Sequence, residues 1–216
     1  MLLDALGTIV ELERPWPHLV AELGTRGVVV DEDRAREAML AEMAYYRAHH
    51  DEAANLAGLR DLRRRCAAVV QDVLGTPLPL DEVEEALLAA IRFRPYPEVP
   101  GVLAALRERG ARLAVVSNWD VSLHDVLERT GLRPVLDAVV ISAELGAAKP
   151  DPAIFSAALA RVEAAASDAL HVGDSVEADV EGARAAGVEA VLVTRDGGTT
   201  ADGVRVIGSL DELLDG

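Results

Sequence analysis

The 216-residue chain has a single cysteine, Cys66, so no disulfide can form within it and a reducing compartment is expected. Aromatic residues make up only 3% of it, which argues against an aromatic-rich β-sandwich. Ala, Val and Leu carry the apolar content, a composition that suits parallel strands covered by helices. No apolar run approaches the roughly 20 residues of a membrane span, and the start of the chain lacks the layout of a signal peptide, so a cytoplasmic location is expected. Basic residues are also in short supply: 21 against 37 acidic ones, a net charge of −16. Such a surface repels nucleic-acid backbones and anionic membranes, which leaves a small molecule as the expected partner. Neither low-complexity tracts nor internal repeats occur. What the chain does have is apolar side chains, 50% of all residues, enough for a sizeable core.

The periodicity of those apolar residues changes along the chain. Met1 to Val10 reads as a short strand interrupted by Asp4 and Gly7. From Trp16 to Phe93 the spacing is helical, with stripes such as Trp16, Leu19, Val20 and Leu23, or Leu59, Leu62, Cys66, Val69 and Val73. The short run Val28–Val30 reads as either a strand or a buried turn. Beyond Pro95-Tyr96-Pro97 strands and helices alternate, with strands expected at Leu113–Val116, Ala138–Ile141, Ala169–Val172 and Ala190–Val193. Repeated βα units at this spacing predict a parallel sheet with right-handed crossovers. The expected architecture is an α/β, Rossmann-like parallel-sheet core formed by residues 1–13 and 95–216. Residues 14–94 form an inserted α-helical cap domain.

Four polar clusters share one position in this scheme. Asp4 follows the first strand, Ser117-Asn118 follows Val115-Val116, and Gly173-Asp174-Ser175 follows His171-Val172. Lys149 lies in the loop after the strand ending at Ile141. In open parallel sheets, sites form beyond the carboxyl ends of the strands, so these distant segments are expected to meet in one crevice. Asp4, Asp174 and Asp179 would bring three carboxylates together, more than one lysine can neutralise. A hard divalent cation with oxygen ligands, Mg²⁺ by preference, resolves that repulsion. Gly7 permits a tight turn after Asp4, and Ser117 with neighbouring backbone N–H groups could hold phosphate oxygens.

In order and spacing these clusters resemble the four motifs of the haloacid dehalogenase-like hydrolases. The matching segments are Asp4-Ala-Leu-Gly-Thr8, Val115-Val-Ser-Asn118, Lys149-Pro-Asp-Pro152, and Gly173-Asp-Ser with Asp179. The helical segment between the first two is similar to the C1-type cap of that family. The resemblance implies that Asp4 is a nucleophile forming a covalent aspartyl intermediate and that Leu6 offers its carbonyl to Mg²⁺. It further implies that Ser117 and Asn118 bind the phosphoryl group and Lys149 steadies the intermediate. Asp174 would ligate the metal, with Asp179 helping directly or through water. One departure stands out. Family phosphatases carry a second Asp two positions after the nucleophile as general acid and base, and here that place is Leu6.

Three readings follow: a Mg²⁺-dependent phosphatase, a 2-haloacid dehalogenase whose Asp4 attacks carbon, and a non-enzymatic binding protein of the same fold. Leu6 fits the dehalogenase, whose halide leaves without a proton, while the acidic pair Asp174 and Asp179 favours phosphoryl chemistry. Some polar residues admit plainer roles. His171 reads as a packed residue on an apolar strand, and Asp179 alone could be a solvated helix residue. The cluster Tyr45, Tyr46, His49 and His50, and the arginines Arg34, Arg36, Arg92 and Arg94, are left outside the expected site.

Overall fold

The computed structural model describes residues 1–195, 197 and 202–215. In chain order the elements are β1 (Leu2–Leu3), β2 (Val10–Leu12), α1 (Pro15–Thr25), α2 (Glu32–His49), α3 (Leu56–Leu74), α4 (Leu80–Ala90) and β3 (Phe93–Pro95). There follow α5 (Val99–Glu108), β4 (Ala114–Ser117), α6 (Leu123–Arg129), β5 (Ala138–Ile141), α7 (Ser142–Leu145) and α8 (Pro152–Arg161). The chain continues through β6 (Leu170–Gly173), a π-helical turn (Val176–Glu181), α9 (Gly182–Ala185), β7 (Glu189–Val193) and β8 (Arg205–Ile207).

Contacts group the chain into two units, Met1–Glu11 with Arg94–Gly216, and Leu12–Phe93. The first holds a parallel sheet in the order β5-β4-β1-β6-β7-β8. β4 and β5 consist of Ala, Val, Ile and a terminal Ser and are buried throughout, as expected of strands covered on both faces. Phe155, Ile154 and Ala158 of α8 pack on Leu2, Val116 and Val140 in this core. Pro152 starts α8, preceded by Asp151, whose side chain accepts the Ala153 N–H at 2.8 Å. β1 is central, and strand order reverses around it: β4 and β5 follow on one side, β6 to β8 on the other. A reversal of this kind is where a site is expected, at the carboxyl ends of β1, β4 and β6.

The second unit is built from α1 to α4. Asp31 and Asn55 cap α2 and α3 through backbone N–H groups, and Gly75 ends α3 in a left-handed conformation. Leu19, Leu23, Met39, Leu62, Val70 and Leu87 are buried, one helical stripe from each element.

The sequence reading of Met1–Val10 as one interrupted strand resolves into β1 and β2 with a tight loop between them. Val28–Val30 forms neither strand nor buried turn, since Val29 is 98% exposed. The β2–β3 ribbon, the four-residue α7 and β8 have no counterpart in the sequence reading.

Candidate active site

Asp4 is the first residue past β1, and its N–H donates to the Val172 carbonyl at 2.9 Å, tying the strand end to β6. The chain then turns sharply. The Ala5 carbonyl accepts the N–H groups of Thr8, Ile9 and Val10, and the Gly7 N–H donates to Val10 at 2.9 Å. Gly7 is required twice over. Its φ is +82°, and a Cβ there would stand 2.1 Å from Asp174 Oδ2. The Leu6 side chain is 39% exposed at this loop.

Lys149 reaches the crevice from the loop before α8. Its Nζ donates to Asp4 Oδ1 at 2.6 Å and to Asp179 Oδ1 at 2.6 Å, and all three residues are buried. Burial alone would lower the Lys149 pKa, but the two carboxylates outweigh it and hold the ammonium above its ordinary range. Asn118 fixes the lysine from below. Its Nδ2 donates to the Lys149 carbonyl at 2.9 Å, and its Oδ1 accepts the Lys149 N–H at 2.7 Å. Ser117, at the end of β4, donates to Asp4 Oδ1 at 3.3 Å.

Asp179 faces inward from the π-helical turn because Gly173 leaves room. A Cβ at Gly173 would lie 2.1 Å from Asp179 Cγ. Asp179 Oδ2 accepts the Ser175 N–H at 3.0 Å, and Oδ1 lies 2.8 Å from His171 Nε2. Burial acts to raise the Asp179 carboxyl, but Lys149 and His171 prevail and hold it well below the usual carboxylate range. Asp4 goes the other way: burial raises it, Asp179 adds to the effect, and Lys149 opposes without reversing it. Asp174, although exposed at its surface, is pushed up to about 6 by partial desolvation and by the charges of Asp4 and Asp179.

The carboxylate oxygens of Asp4, Asp174 and Asp179 come within 4.8 Å of one another. One lysine and three carboxylates leave negative charge uncompensated, which adds to desolvation in raising Asp174. A hard oxygen donor set with surplus negative charge fits a divalent cation. Asp4, Ser117, Lys149 and Asp179 are bonded to one another and Asp174 stands beside them, whereas the Asn118 side chain is committed to the Lys149 backbone.

Two residues that touch the site were not among those expected there. His171 is indeed packed, edge-on to Phe155 with ring centroids 5.0 Å apart, yet it also contacts Asp179. Arg195 follows β7 and contacts Glu98 and the carbonyls of Gly7 and Thr8. Its place beyond a strand's carboxyl end is the same signal that marks the other clusters. Tyr45 and His49 stack at 4.0 Å within the helical unit.

A family model described as haloacid dehalogenase-like hydrolase matches residues 1–187. The chain is 32% identical over 203 residues to haloacid dehalogenase-like hydrolase domain-containing protein 3 of Mus musculus, covering 88% of this chain and 79% of that one. It is 40% identical over 128 residues to a phosphoserine phosphatase of Thermus thermophilus, covering 58% of this chain and 51% of the relative. A HAD phosphatase from Thermococcus onnurineus is similar in structure, with a TM-score of 0.68, 27% identity, and coverage of 99% of this chain and 95% of that one.

Proposed function

The chain belongs to the haloacid dehalogenase-like hydrolases, and from that premise we propose that it is a Mg²⁺-dependent phosphatase acting on a small phosphorylated metabolite through Asp4. The observation that carries this reading is the acidic cluster: three carboxylates within 4.8 Å of one another, with Lys149 bonded to two of them. An attack on carbon with halide as leaving group has no need of Asp174 beside Asp4. Phosphoryl transfer does, as a ligand for the cation that would offset the charge of a dianionic substrate approaching an anionic nucleophile. Relatives named as phosphatases support the same choice.

In this reading Asp4 attacks phosphorus with one carboxylate oxygen, the bond to the leaving oxygen breaks, and that oxygen takes its proton from solvent, since Leu6 has none to give. Water then attacks the phosphorus of the aspartyl phosphate, releasing phosphate and restoring Asp4. Lys149 stays protonated throughout, held by Asp179, and balances charge on Asp4 as it gains and loses the phosphoryl group. Ser117, already at Asp4 Oδ1, offers its hydroxyl to a phosphoryl oxygen. Asn118 contributes by fixing Lys149 through its side chain. Asp4, the Leu6 carbonyl and Asp174 would hold Mg²⁺, with Asp179 assisting directly or through water. Bound there, the cation would offset the charge of the phosphoryl group. The helical unit, Leu12–Phe93, serves in this reading as the cap that selects the substrate.

Leu6 keeps a second reading alive, a 2-haloacid dehalogenase, since its side chain cannot donate a proton to a leaving oxygen. A paired screen of phosphorylated metabolites and 2-haloacids, each with and without Mg²⁺, decides between them. Phosphate release that depends on Mg²⁺ and vanishes in Asp4→Asn supports the phosphatase, and Mg²⁺-independent halide release supports the alternative.

A further inference from the structure

Arg195 lies past the carboxyl end of β7, outside every group used in the mechanism above. Its guanidinium is held on several sides. Nη1 pairs with Glu98, and the guanidinium carbon sits 3.7 Å from the centroid of the Tyr96 ring. Nη2 donates to the Thr8 carbonyl, and Nε points to the Gly7 carbonyl at 3.5 Å. A planar fork of donors that also stacks on an aromatic ring is a geometry that lysine does not reproduce.

The backbone that Arg195 grips adjoins two of the proposed cation ligands, Asp4 and Asp174. Gly7 packs on Asp174 so closely that no side chain fits between them. The Thr8 hydroxyl reaches Asp4 Oδ2 at 3.5 Å. Leu6, whose carbonyl is the third proposed ligand, immediately precedes them. Arg195 therefore holds the loop that sets the spacing of Asp4, Leu6 and Asp174, and no bond joins it to any of their side chains.

We propose that Arg195 is a positioning residue for the cation site, fixing the Gly7–Thr8 backbone so that Asp4, the Leu6 carbonyl and Asp174 face one divalent ion. The inference rests on the phosphatase reading. It makes a prediction opposite in sign to simple electrostatics. By Coulomb's law a guanidinium beside a cation site repels the cation, so removing it should tighten Mg²⁺ binding. A positioning role requires that binding weaken.

The test is calorimetric titration of Mg²⁺ into the metal-free full chain for wild type, Arg195→Met and Arg195→Lys, at a temperature where circular dichroism shows each to be folded. Arg195→Met is expected to weaken Mg²⁺ binding on the order of tenfold, the lower end of the effect of residues that orient metal ligands. Arg195→Lys keeps the charge but loses the fork, and should fall between. Unchanged or tighter binding in folded Arg195→Met overturns the proposal and leaves the phosphatase reading standing. A wild type that binds no Mg²⁺ at millimolar concentration overturns both. Should Arg195→Met fail to fold, Arg195→Lys decides: weaker binding supports the positioning role, and wild-type affinity refutes it.

Discussion

In the phosphatase reading, replacing Leu6 by Asp would place a carboxyl at the position where the loop after Asp4 now offers only an aliphatic chain to a departing oxygen. Leu6 is 39% exposed, so the substitution gives up only the covered part of its burial energy. Taking about 1.5–3 kcal/mol for a fully buried Leu, the loss is about 1–2 kcal/mol. Against a typical domain stability of about 5–15 kcal/mol, the variant should fold. The neighbouring carboxylates of Asp4, Asp174 and Asp179 disfavour another negative charge, so the new group's pKa should rise and leave part of it protonated near neutral pH. General acids contribute about 10²–10⁴ in rate where the site is shaped for them. Here the surroundings accommodate a leucine, and about a tenfold gain on alkyl phosphates is expected, equivalent to about 1.4 kcal/mol of barrier. The assay compares phosphate release from an alkyl phosphate and from p-nitrophenyl phosphate under saturating Mg²⁺. Wild type should favour the aryl ester, whose leaving group needs little protonation, and should show a burst, because no residue at position 6 activates water for the second step. Leu6→Asp should narrow the gap between the two esters. A folded Leu6→Asp protein that gains nothing on any phosphate ester would refute the reasoning: another group then supplies the proton, or the native reaction is not phosphate hydrolysis.

If Asp174 is a ligand, EDTA should abolish phosphate release, Mg²⁺ should restore it, and Asp174→Ala should raise the Mg²⁺ concentration needed; full activity in EDTA would point to the dehalogenase instead. His171→Leu removes the nitrogen 2.8 Å from Asp179 and should lower both stability, by about 1–3 kcal/mol, and kcat. His171→Gln, whose amide nitrogen can occupy the Nε2 position, should recover much of each, and identical urea titrations and kcat for the two variants would show the contact to be idle. In the helical unit, buried Glu42 has its carboxyl raised above the ordinary 4.5 by burial, with Cys66 opposing in part. A raised folded pKa means that stability from the protonated form is full below 4.5 and is lost as pH rises through the folded value. Glu42→Gln should therefore stabilise the protein on the order of 1 kcal/mol at pH 8 and little at pH 4, and urea titrations showing the same difference at both values would contradict this.

The parts of the fold that the sequence reveals are those in which burial imposes a pattern. Ala138–Ile141 and Val115–Val116 are apolar runs because their strands are covered on both faces, and the polar residues that end those runs mark the crevice. β8 escapes because two of its three residues are exposed, and α7 because four residues carry no period. Asn118 is conspicuous in sequence, but its partner is a main chain 31 positions away, which no local pattern encodes. His171 looks like core and is core. Its contact with Asp179 exists because the π-helical turn folds that carboxylate back over Gly173. Arg195 sits between Thr194 and Asp196, and only its strand-end position distinguishes it from a surface charge.

The central place of β1 has a consequence for biosynthesis. Of the strands in this sheet it is made first, yet its two partners are β4, beginning at Ala114, and β6, ending at Gly173. At about 5–20 residues per second, β1 waits on the order of 10–30 s for its second neighbour. The helical unit, continuous from Leu12 to Phe93, is complete well before that and can fold while Leu2 and Leu3 are still unpaired. During this interval a short apolar strand with two free edges is exposed next to Asp4, which has not yet met Lys149. The cluster around Asp4 is therefore assembled only after β6 and the π-helical turn that follows it have been made.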